Sequence, residues 1–138
     1  AFGLVGSAAN LVAPGKRPLS SMSPTIVLNA ANQPVLTCGA AGGPKIITTV
    51  LQILVRVLDL GQSIDSAVAA GRVHQQWSPD KAVCENAIAE PVVSDLKTRG
   101  HDITRIASAA VAQGITFGLD QRLTAASDPR VPSSARGI

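Results

Sequence analysis

Apolar and polar positions along the chain predict short strands near both ends and helices between them. Thr25–Asn29 (TIVLN) is brief and β-branched. Val35–Gly39 (VLTCG) follows after the polar turn Asn29–Pro34, so the two runs predict a hairpin. From Ile46 to Leu60 the polar residues fall at 48, 52, 56 and 59. That spacing predicts a helix with a narrow polar stripe, mostly buried against a sheet face. Pro44 suits its first position and Gly61 its stop. Ser63 can cap a second helix from Ile64 to roughly Arg72. His74–Pro79 reads as a polar-aromatic connector, and Lys81–Ile88 is short enough for a strand. Pro91 opens a third helix, with Val92, Val93 and Leu96 on one face and Gly100 at its end. Asp102–Ile106 alternates as a half-buried strand, and Gln113–Leu119 with Arg122–Ala126 predicts a hairpin across Asp120 and Gln121. Residues 1–19 read as an irregular entry segment, and the tail SDPRVPSSARGI as turn-rich, either exposed or docked. No internal repeat is present. Strands, then helices, then strands imply an α+β layering rather than a βαβ repeat.

Composition narrows the class. With 138 residues and 46% hydrophobic content, the chain is read as one domain, residues 1–138, with a true core. Only Phe2, Trp77 and Phe117 are aromatic, so that core is aliphatic, and stacking platforms for single-stranded nucleic acid are lacking. The net charge is +3, but the arginines form no basic stripe, which argues further against a nucleic-acid partner. The stretch 46–60 is interrupted by Thr48, Thr49, Gln52, Arg56 and Asp59, so no membrane span is expected. Cys38 and Cys84 show neither CxxC spacing nor a His/Cys cluster, so no metal is expected. One disulfide and two buried thiols fit them equally well. The opening AFGLVGSAAN lacks the basic region of a signal peptide and does not begin with Met, which suggests a processed or truncated product.

Two segments could carry chemistry. In GAAGGPKIITT (Gly39–Thr49) a strand runs through a glycine turn into a helix start. Unpaired N–H groups and the helix dipole favour an anionic oxygen there, and glycine permits close approach. A phosphate-binding loop is disfavoured: Pro44 stands in place of its second Gly and Ile46 in place of its Ser/Thr. A tight connection without a ligand remains the plain alternative. In SSMSP (Ser20–Pro24) consecutive hydroxyls can donate to a carboxylate, or can merely satisfy local backbone. Neither serine sits in a nucleophile elbow. His74 and His101 are isolated and read as structural, and Asp128 reads as a turn cap.

In this order the segments resemble the γ-glutamyltranspeptidase (γ-glutamyltransferase) family. The resemblance is carried by PGKRPLSSMSPTIV (Pro14–Val27), GAAGGPKIITTVLQ (Gly39–Gln52), RVHQQW (Arg72–Trp77) and ASDPR (Ala126–Arg130), with GLVGSAAN ahead of them. It runs essentially end to end. It implies the αββα sandwich of the N-terminal-nucleophile hydrolases, of which this chain supplies a part. It also implies an autoprocessed enzyme whose new N-terminal threonine attacks the γ-glutamyl amide of glutathione. The acyl-enzyme then passes the glutamyl group to water or to an acceptor amino acid or peptide. No cofactor or metal is implied.

Carried over by residue, Ser20 and Ser21 match the serine pair that holds the donor α-carboxylate. Gly42 and Gly43 match the glycine pair whose N–H groups form the oxyanion hole. Ala41 departs from the family, which often has Pro there. No Thr precedes Thr25, which lies within the strand motif and cannot be the nucleophile. The resemblance therefore places the chain as the C-terminal part of the small (light) subunit. It would be inactive alone and completed by the large subunit and the opening part of the small one. A periplasmic or secreted bacterial location follows by analogy. A non-catalytic module of the same fold and a cephalosporin-type acylase are the alternatives. The Ser20-Ser21 pair favours a glutamyl donor.

Overall fold

The computed structural model describes residues 6–120 and 122–136. The first five residues of the entry segment, Gln121 of the expected hairpin turn and the last two residues of the tail lie outside that description. Residues 6–24 contain one short 3-10 turn, Ala8–Asn10.

β1 (Thr25–Leu28) and β2 (Pro34–Ala41) form the expected antiparallel hairpin, with Thr25 opposite Cys38 and Val27 opposite Leu36. The Asn29 carboxamide oxygen closes its turn, accepting from the N–H groups of Ala31 at 2.9 Å and Gln33 at 3.0 Å. β2 extends two residues past Gly39 because β6 (Val111–Phe117) pairs with it as far as Ala41, opposite Val111. β7 (Leu123–Ser127) completes an antiparallel sheet ordered β1-β2-β6-β7. Helices α1 (Lys45–Leu54) and α2 (Ile64–Ala69) cover one face, enclosing Leu36, Cys38, Ile46, Val50, Ile53, Ile64, Val68 and Ala112. Strand alternation puts Ile26, Ile115, Phe117 and Leu123 on the other face. Ile26 and Leu123 are exposed there. A sheet with one helix-covered face and one bare apolar face is half of a layered sandwich.

A second, three-stranded sheet holds β3 (Val73–His74), β4 (Ala82–Glu85) and β5 (Ile103–Ile106). β4 and β5 are parallel, joined by α3 (Glu90–Thr98). The mixed architecture is α+β as expected, with this one local βαβ crossover that the element order did not announce. Val93 is fully buried under α3 while Val92 is half exposed, so the expected apolar face of this helix is divided.

Two expectations are corrected, and one open alternative is decided. The 46–60 helix is continuous, with a π-helical last stretch Val55–Asp59, and Gly61 stops it at φ +63°. It is not mostly buried, however: Ile47, Leu51 and Leu58 are exposed. The polar stripe turns inward instead. Arg56 Nη2 donates to the Gly71 carbonyl at 2.6 Å, and Thr48 Oγ1 lies 2.8 Å from His74 Nδ1. Gln52 Nε2 donates to the Val73 carbonyl at 2.8 Å, and the Val73 N–H donates to Gln52 Oε1 at 3.0 Å. Side chains spaced four apart thus line the outer side of the 71–74 segment, Gln52 bonding the β3 backbone itself. α2 is capped by Ser63, which accepts from the Ser66 N–H, but it ends at Ala69 rather than near Arg72. The Arg72 N–H donates to Glu85 Oε2 at 3.0 Å instead of continuing the helix. Finally, Cys38 and Cys84 are free, buried thiols in different sheets, so the disulfide alternative falls. No helix among the described residues is long and apolar enough to cross a membrane.

Candidate active site

The turn between β2 and α1 is built from two glycines with different physical reasons. Gly43 has φ +61°, a left-handed conformation that costs side-chain-bearing residues energy. Gly42 lies against the segment leading into β6. A Cβ there would sit 2.7 Å from Ala110 Cβ and 3.1 Å from the Ala109 carbonyl oxygen. The Gly42 carbonyl accepts from the Lys45 N–H at 3.3 Å and the Gly43 carbonyl from the Ile46 N–H at 3.1 Å, so both begin the helix. The trans peptide sets the Gly43 N–H opposite to the Gly42 carbonyl, away from the helix body. Among the described residues neither glycine N–H is taken up by a hydrogen bond.

Ser21 reaches this turn from 22 positions away. Its hydroxyl donates to the Gly43 carbonyl at 2.8 Å. Ser20 is exposed, and its Oγ accepts from the Met22 N–H at 3.1 Å. The fold therefore brings the two motifs together at Ser21 and Gly43. Ser21 uses its proton within the protein, whereas Ser20 accepts and keeps its own proton to give. The arrangement is an electropositive helix start with free amides beside a hydroxyl-bearing loop, suited to an anionic or developing-anionic oxygen. A cavity of about 750 Å³ opens elsewhere, between α1, α3 and the second sheet, lined by Leu51, His74, Ala82 and Ile103 among others. None of Ser20, Ser21, Gly42 and Gly43 lines it.

Behind the turn lies a buried ionic network. Arg72 and Asp128 are fully buried, with Arg72 Nη2 2.8 Å from Asp128 Oδ2. Arg72 also donates to the carbonyls of Ala110 at 2.6 Å and Val68 at 2.7 Å. Arg130 pairs with Asp128 at 3.0 Å and forms a two-point contact with Glu85. Asp128 accepts the N–H groups of Ala112 and Arg130, so it caps its turn as the sequence suggested and does considerably more. Burial by itself would push the Glu85 and Asp128 carboxyls up. Hydrogen bonds from Arg130, Ala109 and Arg72 to Glu85, and from Arg130, Arg72 and Ala112 to Asp128, outweigh it and hold both below the usual carboxylate range. Burial lowers the Arg72 guanidinium, partly offset by Asp128, while Arg130 is raised because its two carboxylates outweigh burial. Arg72 and Arg130 lie in the RVHQQW and ASDPR motifs, and Glu85 in neither, yet nothing local in the sequence assigns any of the three a role. Partners 45 and 56 positions apart leave no local spacing to read. His74 is buried, bonded to Thr48 and 2.9 Å from Gln76 Oε1, in keeping with a structural role. No cluster of potential metal ligands occurs among the described residues.

Helices over one face of an antiparallel sheet, a bare opposite face and a glycine turn with free amides at the end of the interior strand β2 fit one half of the αββα N-terminal-nucleophile hydrolase fold, the fold of the solved structures the chain resembles. Residues 1–138 match the γ-glutamyltranspeptidase family model over their whole length, and the chain belongs to that family. It is 43% identical over 129 residues to the glutathione hydrolase proenzyme of Escherichia coli K12, covering 94% of this chain and 22% of that protein. The chain thus spans about a fifth of that curated relative. Among solved structures it resembles the Helicobacter pylori γ-glutamyltranspeptidase T380A mutant (TM-score 0.88, 39% identity, 94% of this chain and 72% of that one). It also resembles the Pseudomonas nitroreducens γ-glutamyltranspeptidase complexed with L-DON (TM-score 0.91, 37% identity, 100% of this chain and 72% of that one).

Proposed function

We propose that this chain is the C-terminal part of the small subunit of a γ-glutamyltransferase and glutathione hydrolase. In this reading Ser20 and Ser21 hold the donor α-carboxylate, Ser20 with the proton it keeps and Ser21 by turning its hydroxyl from the Gly43 carbonyl to the donor, and the Gly42 and Gly43 N–H groups form the oxyanion hole. The nucleophile is an N-terminal threonine supplied by residues outside this chain. Its hydroxyl gives its proton to the threonine's own α-amino group and its oxygen adds to the γ-carbonyl carbon, the carbonyl oxygen becomes an oxyanion facing the glycine amides, and the amine leaves with that proton as the ester forms. Water or an acceptor amino acid or peptide then takes the glutamyl group. The large subunit and the opening part of the small one complete the site. The bare apolar sheet face fits a second sheet packed upon it. By family analogy the enzyme is a periplasmic or secreted heterodimer matured from a zymogen, a state that the proenzyme name of the Escherichia coli relative also suggests.

The observation that carries this reading is the Ser21–Gly43 hydrogen bond, which joins the hydroxyl loop to a turn with uncommitted amides. The test is hydrolysis of a γ-glutamyl chromogenic amide by the full-length protein. Turnover is expected, with none from residues 1–138 alone. Replacing both Ser20 and Ser21 by Ala should raise KM about 10-fold or more, the equivalent of ~1.4 kcal/mol of lost donor binding. An unchanged KM in that double variant defeats the carboxylate assignment.

A further inference from the structure

The Gly42–Gly43 turn is held by more than its helix start and Ser21. Gly42 is pressed against Ala109 and Ala110, and each of these is gripped by a buried side chain. Glu85 Oε1 accepts the Ala109 N–H at 2.7 Å, and Arg72 Nη1 donates to the Ala110 carbonyl at 2.6 Å. Glu85 ends β4 in the small sheet, and its carboxylate reaches across to the segment that opens β6 in the large one. It is 1% exposed. Its other oxygen accepts the Arg72 N–H, so the same carboxylate sets both the Ala109 amide and the backbone from which Arg72 reaches Ala110.

We propose that Glu85 is a positioning residue for the glycine turn, acting through Ala109 and Ala110. The inference rests on the oxyanion-hole reading of Gly42 and Gly43. The turn's amides must stand at a fixed place relative to an oxygen that becomes charged during reaction. A displacement of about 1 Å there is enough to cost on the order of 10²-fold in rate. The donor's carboxylate is held by the Ser20–Ser21 loop, which touches the turn through the Gly43 carbonyl and not at Gly42, so ground-state binding is affected less than the rate. Contact between Gly42 and Ala110 is close enough that a shift of the 109–110 segment must be transmitted or absorbed.

The test uses the full-length protein and a γ-glutamyl chromogenic amide. Glu85→Gln should lower kcat about 10- to 100-fold while KM stays within about twofold. Gly42→Ala should lower kcat similarly, and the two should be far from additive when combined, because they act on one contact. Ala110→Gly removes the facing Cβ and should restore at least threefold of the kcat lost in Gly42→Ala. Should Glu85→Gln not fold, Glu85→Asp carries the same test, since it keeps the charge for Arg130 but withdraws the oxygen from Ala109. Loss of folding in both variants, an unchanged kcat, or additivity with Gly42→Ala overturns the proposal while leaving the oxyanion assignment intact. An unchanged kcat in Gly42→Ala, whose alanine keeps the N–H, means that the 109–110 segment absorbs the added Cβ and overturns this proposal too; a full-length protein that turns over no γ-glutamyl amide removes the oxyanion assignment, and this inference with it.

Discussion

The Ser21 hydroxyl donates to the Gly43 carbonyl across 2.8 Å, tying a loop that precedes β1 to the turn that follows β2. A single partly buried hydrogen bond of this kind is worth about 1 kcal/mol. Ser21→Ala should therefore lower the stability of the full-length protein by ~1 kcal/mol in a urea titration, with an unchanged m-value. Ser20→Ala, whose oxygen only accepts from the neighbouring Met22 N–H, should cost less. Equal losses from the two would contradict the strap.

Gln52 and Val73 exchange two hydrogen bonds, a carboxamide standing in for the neighbouring strand that β3 lacks on that side. Gln52→Leu keeps the volume but leaves the Val73 N–H and carbonyl without their partner. Both bonds are solvent-exposed, so a destabilisation of about 0.5–1.5 kcal/mol is expected, read as a shift of the denaturation midpoint. Ile47→Gln, on the exposed side of the same helix, tests that the polar stripe and not the opposite face is turned inward in this fold. It should cost less than half as much.

Arg72 and Asp128 form a pair with no exposed side-chain surface. Removing the cation alone leaves buried Asp128 with Arg130 as its remaining ionic partner and strips the Ala110 carbonyl of its side-chain donor, so Arg72→Ala should destabilise by roughly 3–5 kcal/mol, and Arg72→Met should not rescue it. Replacing Arg72 and Asp128 together by apolar residues should recover part of the loss in a double-mutant cycle. The measurement is the unfolding free energy of all four proteins.

Acid should expose the same network. The folded carboxyls of Glu85 and Asp128 lie below their unfolded values of about 4.3 and 3.9. Their contribution is therefore complete above those unfolded values. It declines as pH falls through them and is gone once pH passes below the folded pKa. Unfolding free energy should thus be flat from neutrality to about pH 5 and fall steeply beneath about pH 4. Glu85→Gln should flatten that fall. A profile unaltered by the substitution would exclude the carboxyl as its source.

Cys38 and Cys84 are 5% and 1% exposed, and burial raises both thiols above their ordinary pKa. Neither should react with an aromatic disulfide reagent at pH 7 until denaturant is added, when both should titrate. Rapid reaction of the native protein would mean that one of the two is accessible.

Periodicity alone determined the β1–β2 and β6–β7 hairpins, the long helix and its glycine stop, because strands and helices write their period into adjacent residues. The glycine turn and the serine pair were legible for the same reason: each is a local cluster whose chemistry follows from a few consecutive residues. Only the tertiary structure decided which way the stripe of Thr48, Gln52 and Arg56 faces, since a helix pattern cannot distinguish water from the edge of a strand. Only it brought Arg72 to Asp128 and Glu85 to Arg130. Such pairings join segments whose separation along the chain carries no period, and their energy comes from burial that exists once the sheets have met.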